Sequence, residues 1–282
     1  MKFSMIRSYA KVNLSLNVTG KKNSKLHKIE SLVTFIGLHD LIYLKKIESN
    51  SHKIYFTGKF KNGINKNNTI SHLLKILDNQ KLLMNQKFEI KIIKNIPQES
   101  GMGGGSMNAS SLINYFIKKK ILKLTKKKLI NLANIIGSDV ILGFSNQNTV
   151  LSSNGSLKVF KKKINFHVLV TKPNFGCSTK LIYSKVKNFS KSKYNKPSES
   201  LFKKNNILNS SNELEKIAFL IYPKIKKLKL YLSKIPNVIF CRMSGSGSTM
   251  VTYFNSKEAT VIASRAFKRK FKNYWCITSK TI

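Results

Sequence analysis

Residues 97–110 read PQESGMGGGSMNAS, with Gly101, Gly103, Gly104 and Gly105 falling within five positions. Before them, Phe88, Ile90 and Ile92 alternate with Lys87, Glu89 and Lys91, the period of a strand. After them, Ala109, Leu112, Ile113, Phe116 and Ile117 recur at the spacing of one helix face and predict a helix starting near Ser106. Glycines let a ligand approach the backbone closely, and the free amides and dipole of a helix N-terminus favour an anion. A phosphate ligand is therefore the first reading of the loop, and a structural turn is the second. It is not a G-x-x-x-x-G-K-[ST] loop, since no lysine follows at the required place. Nor is it G-x-G-x-x-G, because the third residue after Gly103 is Ser106.

Upstream, Val12, Leu14, Leu16 and Val18 alternate with Lys11, Asn13, Ser15 and Asn17, as in a half-buried strand. Two residues of rise place Lys11 and Asn13 on one face, about 7 Å apart. Apolar runs at 32–36, 41–47 and 54–56 predict further strands, and Ile70, Leu73, Leu74 and Leu77 predict a helix. Leu129, Leu132, Ala133 and Ile136 predict another, with Thr125 as N-cap and Gly137 as stop. Ser138 and Asp139 then suit the cap of a short new helix. Beyond Thr149 the pattern restarts with a strand at Phe166, Val168 and Val170. The polar, Lys- and Ser-rich stretch 188–206 predicts a mobile loop. A helix at 214–221 follows, then two strands around the turn Ser244-Gly245-Ser246-Gly247-Ser248, then a closing helix. Strands and helices out of strict alternation predict an α+β fold in two domains that meet near 150–165.

Fifty-two Lys and Arg against 11 Asp and Glu give a net charge of +41 over 282 residues. Such a charge attracts polyanions. However, Lys, Asn, Ile, Phe and Ser crowd every region alike, which is the mark of compositional drift rather than of a binding patch. Cys177, Cys241 and Cys276 are widely spaced and odd in number, against a disulfide framework or a zinc site. With no apolar run of spanning length, a cytoplasmic chain with no membrane partner is expected.

Taken together, YAKVNLSL at 9–16, the glycine loop at 101–109, GSDV at 137–140 and SGSG at 244–247 come in an order that resembles the GHMP kinases. Within that superfamily they are most similar to the 4-diphosphocytidyl-2-C-methyl-D-erythritol kinase family, over residues 8–254. The resemblance implies a two-domain fold, with a ribosomal-protein-S5-like ATP-binding domain at 1–155 and a ferredoxin-like domain at 156–282. It implies ATP with Mg²⁺, metal ligands unspecified, and phosphoryl transfer to the 2-hydroxyl of a cytidine diphosphate-linked methylerythritol. Lys11 matches the family's active-site lysine and Asp139 its catalytic aspartate, side by side. The nucleotide would be held by Asn68, Lys94, Pro97, Gln98, Glu99, Ser100, Gly101, Met102, Gly103, Gly104, Gly105, Ser106 and Met107. Asn13, His27, Asp139, Tyr183 and Gly245 match substrate positions, with Tyr183 as an aromatic stacked on cytosine. A monomer or homodimer that binds no nucleic acid is expected.

The chain departs from the family pattern at several positions. Ser24-Lys25-Leu26-His27 stands where the family has D-G-Y-H, so Leu26 replaces a tyrosine that stacks on the base from its other side. Gln98, Glu99 and Ser100 replace smaller residues, Met107 replaces a small one, and Ile141 replaces a proline. Glu99 brings negative charge to a phosphate loop unless it points away. Two alternatives stand beside this reading: a GHMP kinase of homoserine or mevalonate type, and a basic nucleic-acid-binding protein on a decayed kinase fold.

Overall fold

The strand and the helix that flank the glycine loop are both present in the computed structural model of the chain, which describes residues 2–22 and 26–282. The chain divides into two compact units. One comprises Met1–Ala10, Leu38–Gln98 and Gly103–Ser145, the other Lys11–Gly37, Glu99–Met102 and Asn146–Ile282. Two long paired strands, β1 (Ser4–Lys21) and β2 (His27–Ile47), run through both. The expected strands at 32–36 and 41–47 are thus parts of one strand. His39 and Asp40 interrupt its apolar run without ending it, because the Asp40 carboxylate finds buried backbone donors.

In the first unit, β3 (Lys53–Thr57) pairs in parallel with β4 (Lys87–Ile93). Strand β4 pairs antiparallel with β2, from Leu41↔Ile93 to Ile47↔Lys87. Helices α1 (Thr69–Asn79), α2 (Gly104–Lys118) and α3 (Lys126–Ile136) join them in one core, where Leu44, Leu73, Ile90, Ile92, Leu112 and Phe116 pack together. Thr125 caps α3 and Gly137 ends it, as the sequence predicts. Helix α2 begins two residues before Ser106. Its first turn is glycine, so the apolar periodicity that reveals the rest cannot register there. A 3₁₀ turn at Val140–Phe144 follows α3.

In the second unit, β5 (Asn148–Leu151) pairs with the first half of β2 and with β6 (Leu157–Phe160). Four further strands are β7 (His167–Lys172), β8 (Phe240–Met243), β9 (Met250–Phe254) and β10 (Trp275–Lys280). They form an antiparallel sheet in the order β10-β7-β9-β8. Helices α4 (Thr179–Ser184), α5 (Lys204–Leu208), α6 (Leu214–Ile221), α7 (Pro223–Ser233) and α8 (Lys257–Lys270) complete the unit. Leu169, Leu228, Phe254 and Phe267 centre its core.

The stretch 188–206 corrects the expectation of a mobile loop. Ser190 N donates to Val18 O at 2.9 Å. The buried Glu30 carboxylate accepts from Ser192 Oγ at 2.8 Å, Lys193 N at 2.9 Å and Tyr194 N at 3.0 Å. A short 3₁₀ turn, Glu199–Phe202, and α5 follow. Polar bonds to one buried acid anchor 192–194 within this irregular stretch, so no apolar period betrays the anchor. Among the described residues no helix is long and apolar enough to cross a membrane.

Candidate active site

Over residues 10–18 strand β1 is buried on both faces, not half-buried. Lys11 is 3% exposed and Asn13 4%, and Ser15 and Asn17 are buried with them. A lysine enclosed this way must have partners, because an isolated charge is costly out of water. The Lys11 ammonium donates to Asn13 Oδ1 at 3.0 Å, and Asn13 Nδ2 donates to Ser31 Oγ at 2.8 Å. The same Oδ1 accepts from Gly245 N at 2.9 Å, so the SGSGS turn docks onto the β1 pair. Asn212 holds that turn from its other side, donating to Gly245 O at 2.7 Å and Met243 O at 2.9 Å.

The turn also grips the first half of the glycine loop. Ser244 Oγ donates to Gly101 O at 2.9 Å. Gly101 has φ of +70°, and a Cβ there would collide with the Ser244 carbonyl. Lys11 N donates to Met102 O at 3.3 Å. Glu99 has φ of +47° and directs its side chain over Gly176, where an added Cβ would lie 2.7 Å from its own Cβ. The Glu99 carboxylate therefore packs against the turn after β7 and faces Lys172. Burial holds the Lys172 ammonium below its usual range, with Glu99 acting upward. Lys172 donates to Phe175 O at 2.9 Å and Pro173 O at 3.2 Å. Burial also pushes the neighbouring Cys177 thiol up to about 12, so it is no nucleophile at neutral pH.

His27 and Tyr183 lie together in this unit, ring centroids 5.2 Å apart and tilted by 35°. Burial and then the charge of Lys21 lower the His27 pKa, which leaves a neutral ring. Its Nε2 is buried with no hydrogen-bond partner among the described residues. Leu26 is 54% exposed and adds no second aromatic face. Ser24 and Lys25 of the same motif lie outside the described residues.

The first unit holds the rest of the loop. Gly103 is the N-cap of α2, with φ of +68°, no side-chain cap and no acidic residue in the first turn. The leading amides of α2 are thus left to an incoming anion, which fits a nucleotide phosphate. Gln98 points out of the loop, its amide donating to Asn62 O at 2.6 Å and Phe60 O at 3.2 Å. Asn68 caps α1, accepting from Ile70 N at 3.0 Å and Ser71 N at 3.1 Å. The N-terminus of α1 lies against the first turn of α2: a Cβ on Gly105 would sit 2.9 Å from Thr69 Oγ1. Pro97 and Met107 are buried around the loop and Ser106 opens toward Gly137. Asp139 takes the N-cap position of the 3₁₀ turn but does not cap it with its side chain.

Lys94 is buried and ion-paired with Asp40. Sequence reading passed over Asp40, Ser31, Glu30 and Asn212, all buried polar residues that fix the site's parts. For Asp40 the available signal was an acid inside the apolar run 38–44; the other three stand among polar neighbours or at the edge of a run and carry no such signal. Among the described residues no three His, Cys, Asp or Glu side chains cluster to hold a metal ion.

The family model for the GHMP kinases N terminal domain matches residues 68–154, and that for the GHMP kinases C terminal domain matches 196–273. The chain is 59% identical over 277 residues to the 4-diphosphocytidyl-2-C-methyl-D-erythritol kinase of Pelagibacter ubique, covering 98% of each. It is 30% identical over 260 residues to the enzyme of the same name from Petrotoga mobilis, covering 89% of this chain and 99% of that one. A crystal structure of 4-(cytidine 5'-diphospho)-2C-methyl-D-erythritol kinase has the same fold, with a TM-score of 0.79 at 21% identity over 99% of this chain and 100% of that one. With its glycine loop, its buried β1 lysine and its second glycine turn, the chain belongs to the 4-diphosphocytidyl-2-C-methyl-D-erythritol kinase family of the GHMP kinases.

Proposed function

We propose that this chain transfers the γ-phosphoryl group of ATP to the 2-hydroxyl of 4-diphosphocytidyl-2-C-methyl-D-erythritol, a step of non-mevalonate isoprenoid synthesis in the cytoplasm. The observation that carries the reading is the buried Lys11–Asn13 pair, tied through Gly245 and Ser244 to the glycine loop. A cation and an amide kept dry on one strand suit the recognition of a phosphorylated acceptor. The domains at 1–155 and 156–282, and a monomer or homodimer, go with this reading.

The acceptor oxygen bonds to the γ-phosphorus as the bond to the bridging β–γ oxygen breaks, and ADP leaves. Positioning and charge neutralisation supply most of the rate in such transfers. Asp139 takes the proton of the attacking hydroxyl. The Lys11 ammonium neutralises charge developing on the phosphoryl group. Asn13 orients the hydroxyl, and the leading amides of α2 bind the triphosphate beside Asn68. Mg²⁺, held mainly by phosphate oxygens and water, would reduce the charge of the nucleotide. The neutral His27, whose Nε2 has no partner among the described residues, meets the cytosine edge, and Tyr183 packs on the ring.

The test is ATP turnover with the cytidine-linked acceptor, with homoserine, with mevalonate and with none. Turnover confined to the first supports the reading. Equal turnover with homoserine or mevalonate would replace the acceptor. ATP hydrolysis indifferent to every acceptor would remove the kinase assignment.

A further inference from the structure

Asp40 lies in the middle of β2 and is fully buried, yet its carboxylate accepts four bonds. Oδ1 takes the N–H of Asn95 at 2.7 Å and of Ile96 at 2.8 Å. Oδ2 takes Nδ2 of Asn108 at 2.9 Å and the ammonium of Lys94. Asn95 Nδ2 adds a bond to His39 O at 3.0 Å, beside Asp40 on the same strand. The other amide atom of Asn108, Oδ1, has no partner among the described residues, so Asp40 alone orients that side chain.

These donors come from the two stretches of chain that flank the glycine loop. Lys94, Asn95 and Ile96 lead into it, and Asn108 lies in the second turn of the helix that leaves it. Lys94 sits beneath the start of that helix, its Nζ 3.3 Å from where a Cβ on Gly104 would lie. Ile96 backs the same glycine, with its Cγ2 3.1 Å from that position. One carboxylate thus clamps both ends of the loop against a strand, and Lys94 is its counter-ion. A buried carboxylate needs such a set of donors to stay charged. A helix N-terminus binds an anion well only when its amides are held in place beforehand.

We propose that Asp40 is the positioning residue of the nucleotide loop, acting on ATP through the entry strand and α2 without touching it. Lys94 serves the loop as the partner of Asp40, not as a direct phosphate ligand. The inference rests on the reading that the N-terminus of α2 holds ATP phosphates.

Asp40→Asn keeps the shape but turns an amide N–H₂ toward donors. The expected result is an ATP KM at least tenfold higher, with the acceptor KM and kcat at saturating ATP within about threefold of wild type. A role in stability alone would lower the melting temperature and the active fraction, so that kcat falls while both KM values stay put, and this would overturn the proposal. Lys94→Met is measured in both backgrounds. The expectation is that it raises the ATP KM in the wild-type background and adds little in Asp40→Asn. An equal rise in both would make Lys94 a direct ligand and defeat the assignment. Where Asp40→Asn does not fold, Asp40→Asn/Lys94→Met removes both charges, and Asn108→Ala removes one donor; each must show the same split. Calorimetric titration of each protein with ATP alone separates this idea from the reaction. A wild type that binds ATP but phosphorylates no acceptor sinks the proposed function and leaves this inference standing. A wild type that binds no ATP overturns both.

Discussion

Asp139 is one of only 11 acids in the chain, and it leaves the cap it occupies unbonded by its side chain. In the general-base role proposed for it, such a group contributes about 10²–10⁴ in rate. Asp139→Asn is expected to lower kcat by that factor while the ATP dissociation constant stays within about twofold, read by steady-state kinetics and calorimetry. Gly101 makes a second prediction. Its φ of +70° alone costs an alanine about 1–2 kcal/mol, and the new Cβ meets the Ser244 carbonyl, which cannot yield as a side chain would. Gly101→Ala should lose at least that much stability in urea unfolding and should weaken binding of both substrates, since the SGSGS turn moves with it. Unchanged stability would mean that the two glycine turns separate easily. At this scale the sequence was partly legible. Lys11, Asn13, Gly101 and Gly245 stood out, and their contacts bring them together. Glu99 did not reveal its direction, because a loop side chain is aimed by what lies opposite. Here that is the bare backbone of Gly176, which lies 77 positions away in sequence.

The elements of the first unit are held partly by a titrating cluster away from the glycine loop. His52 Nδ1 accepts from Phe88 N at 3.1 Å, and its Nε2 meets Asp78 at 3.2 Å, where Lys87 also pairs. Burial lowers the His52 pKa below 6.5, more than Asp78 raises it. Burial of Asp78 acts upward, but the bonds from Lys87 and His52 together hold it below 3.8. In both cases the folded pKa is the lower one, so the unfolded chain binds more protons. Stability should be full above about pH 6.5 and fall as pH drops through the folded value of His52, with the Asp78 share lost at lower pH still. Urea unfolding at pH 7.5 and 5.5 should show this loss, and His52→Gln should reduce it; an equal loss in that variant would place the dependence elsewhere. Apolar periodicity found α1, α3 and β4 readily. It missed the first turn of α2 and the order within 188–206, because glycine and hydrogen-bonded polar residues carry no hydrophobic period.

For the whole chain, +41 is a charge that the fold must hold together. Like charges repel more in the compact state than in the expanded one, and salt screens them over about 10 Å at 0.1 M. The melting temperature should therefore rise by a few degrees between roughly 20 and 300 mM NaCl, where about 1 kcal/mol corresponds to 2–4 °C in a chain of this size. A flat profile would mean that the lysines are spread widely enough to ignore one another. RNA binding, if any, should fade over the same range while turnover persists. By itself the sequence determined the kinase family, the glycine loop and its following helix, and it offered a short list of candidate polar residues. These depend on local period, backbone freedom and residue type, which survive in one dimension. Only the tertiary structure decided that β1 is buried on both faces over residues 10–18, that Glu99 turns toward Gly176, that Glu30 ties down 192–194 and that Asp40 clamps the loop. A buried polar group is defined by its partners, and those partners lie up to 232 positions away along the chain.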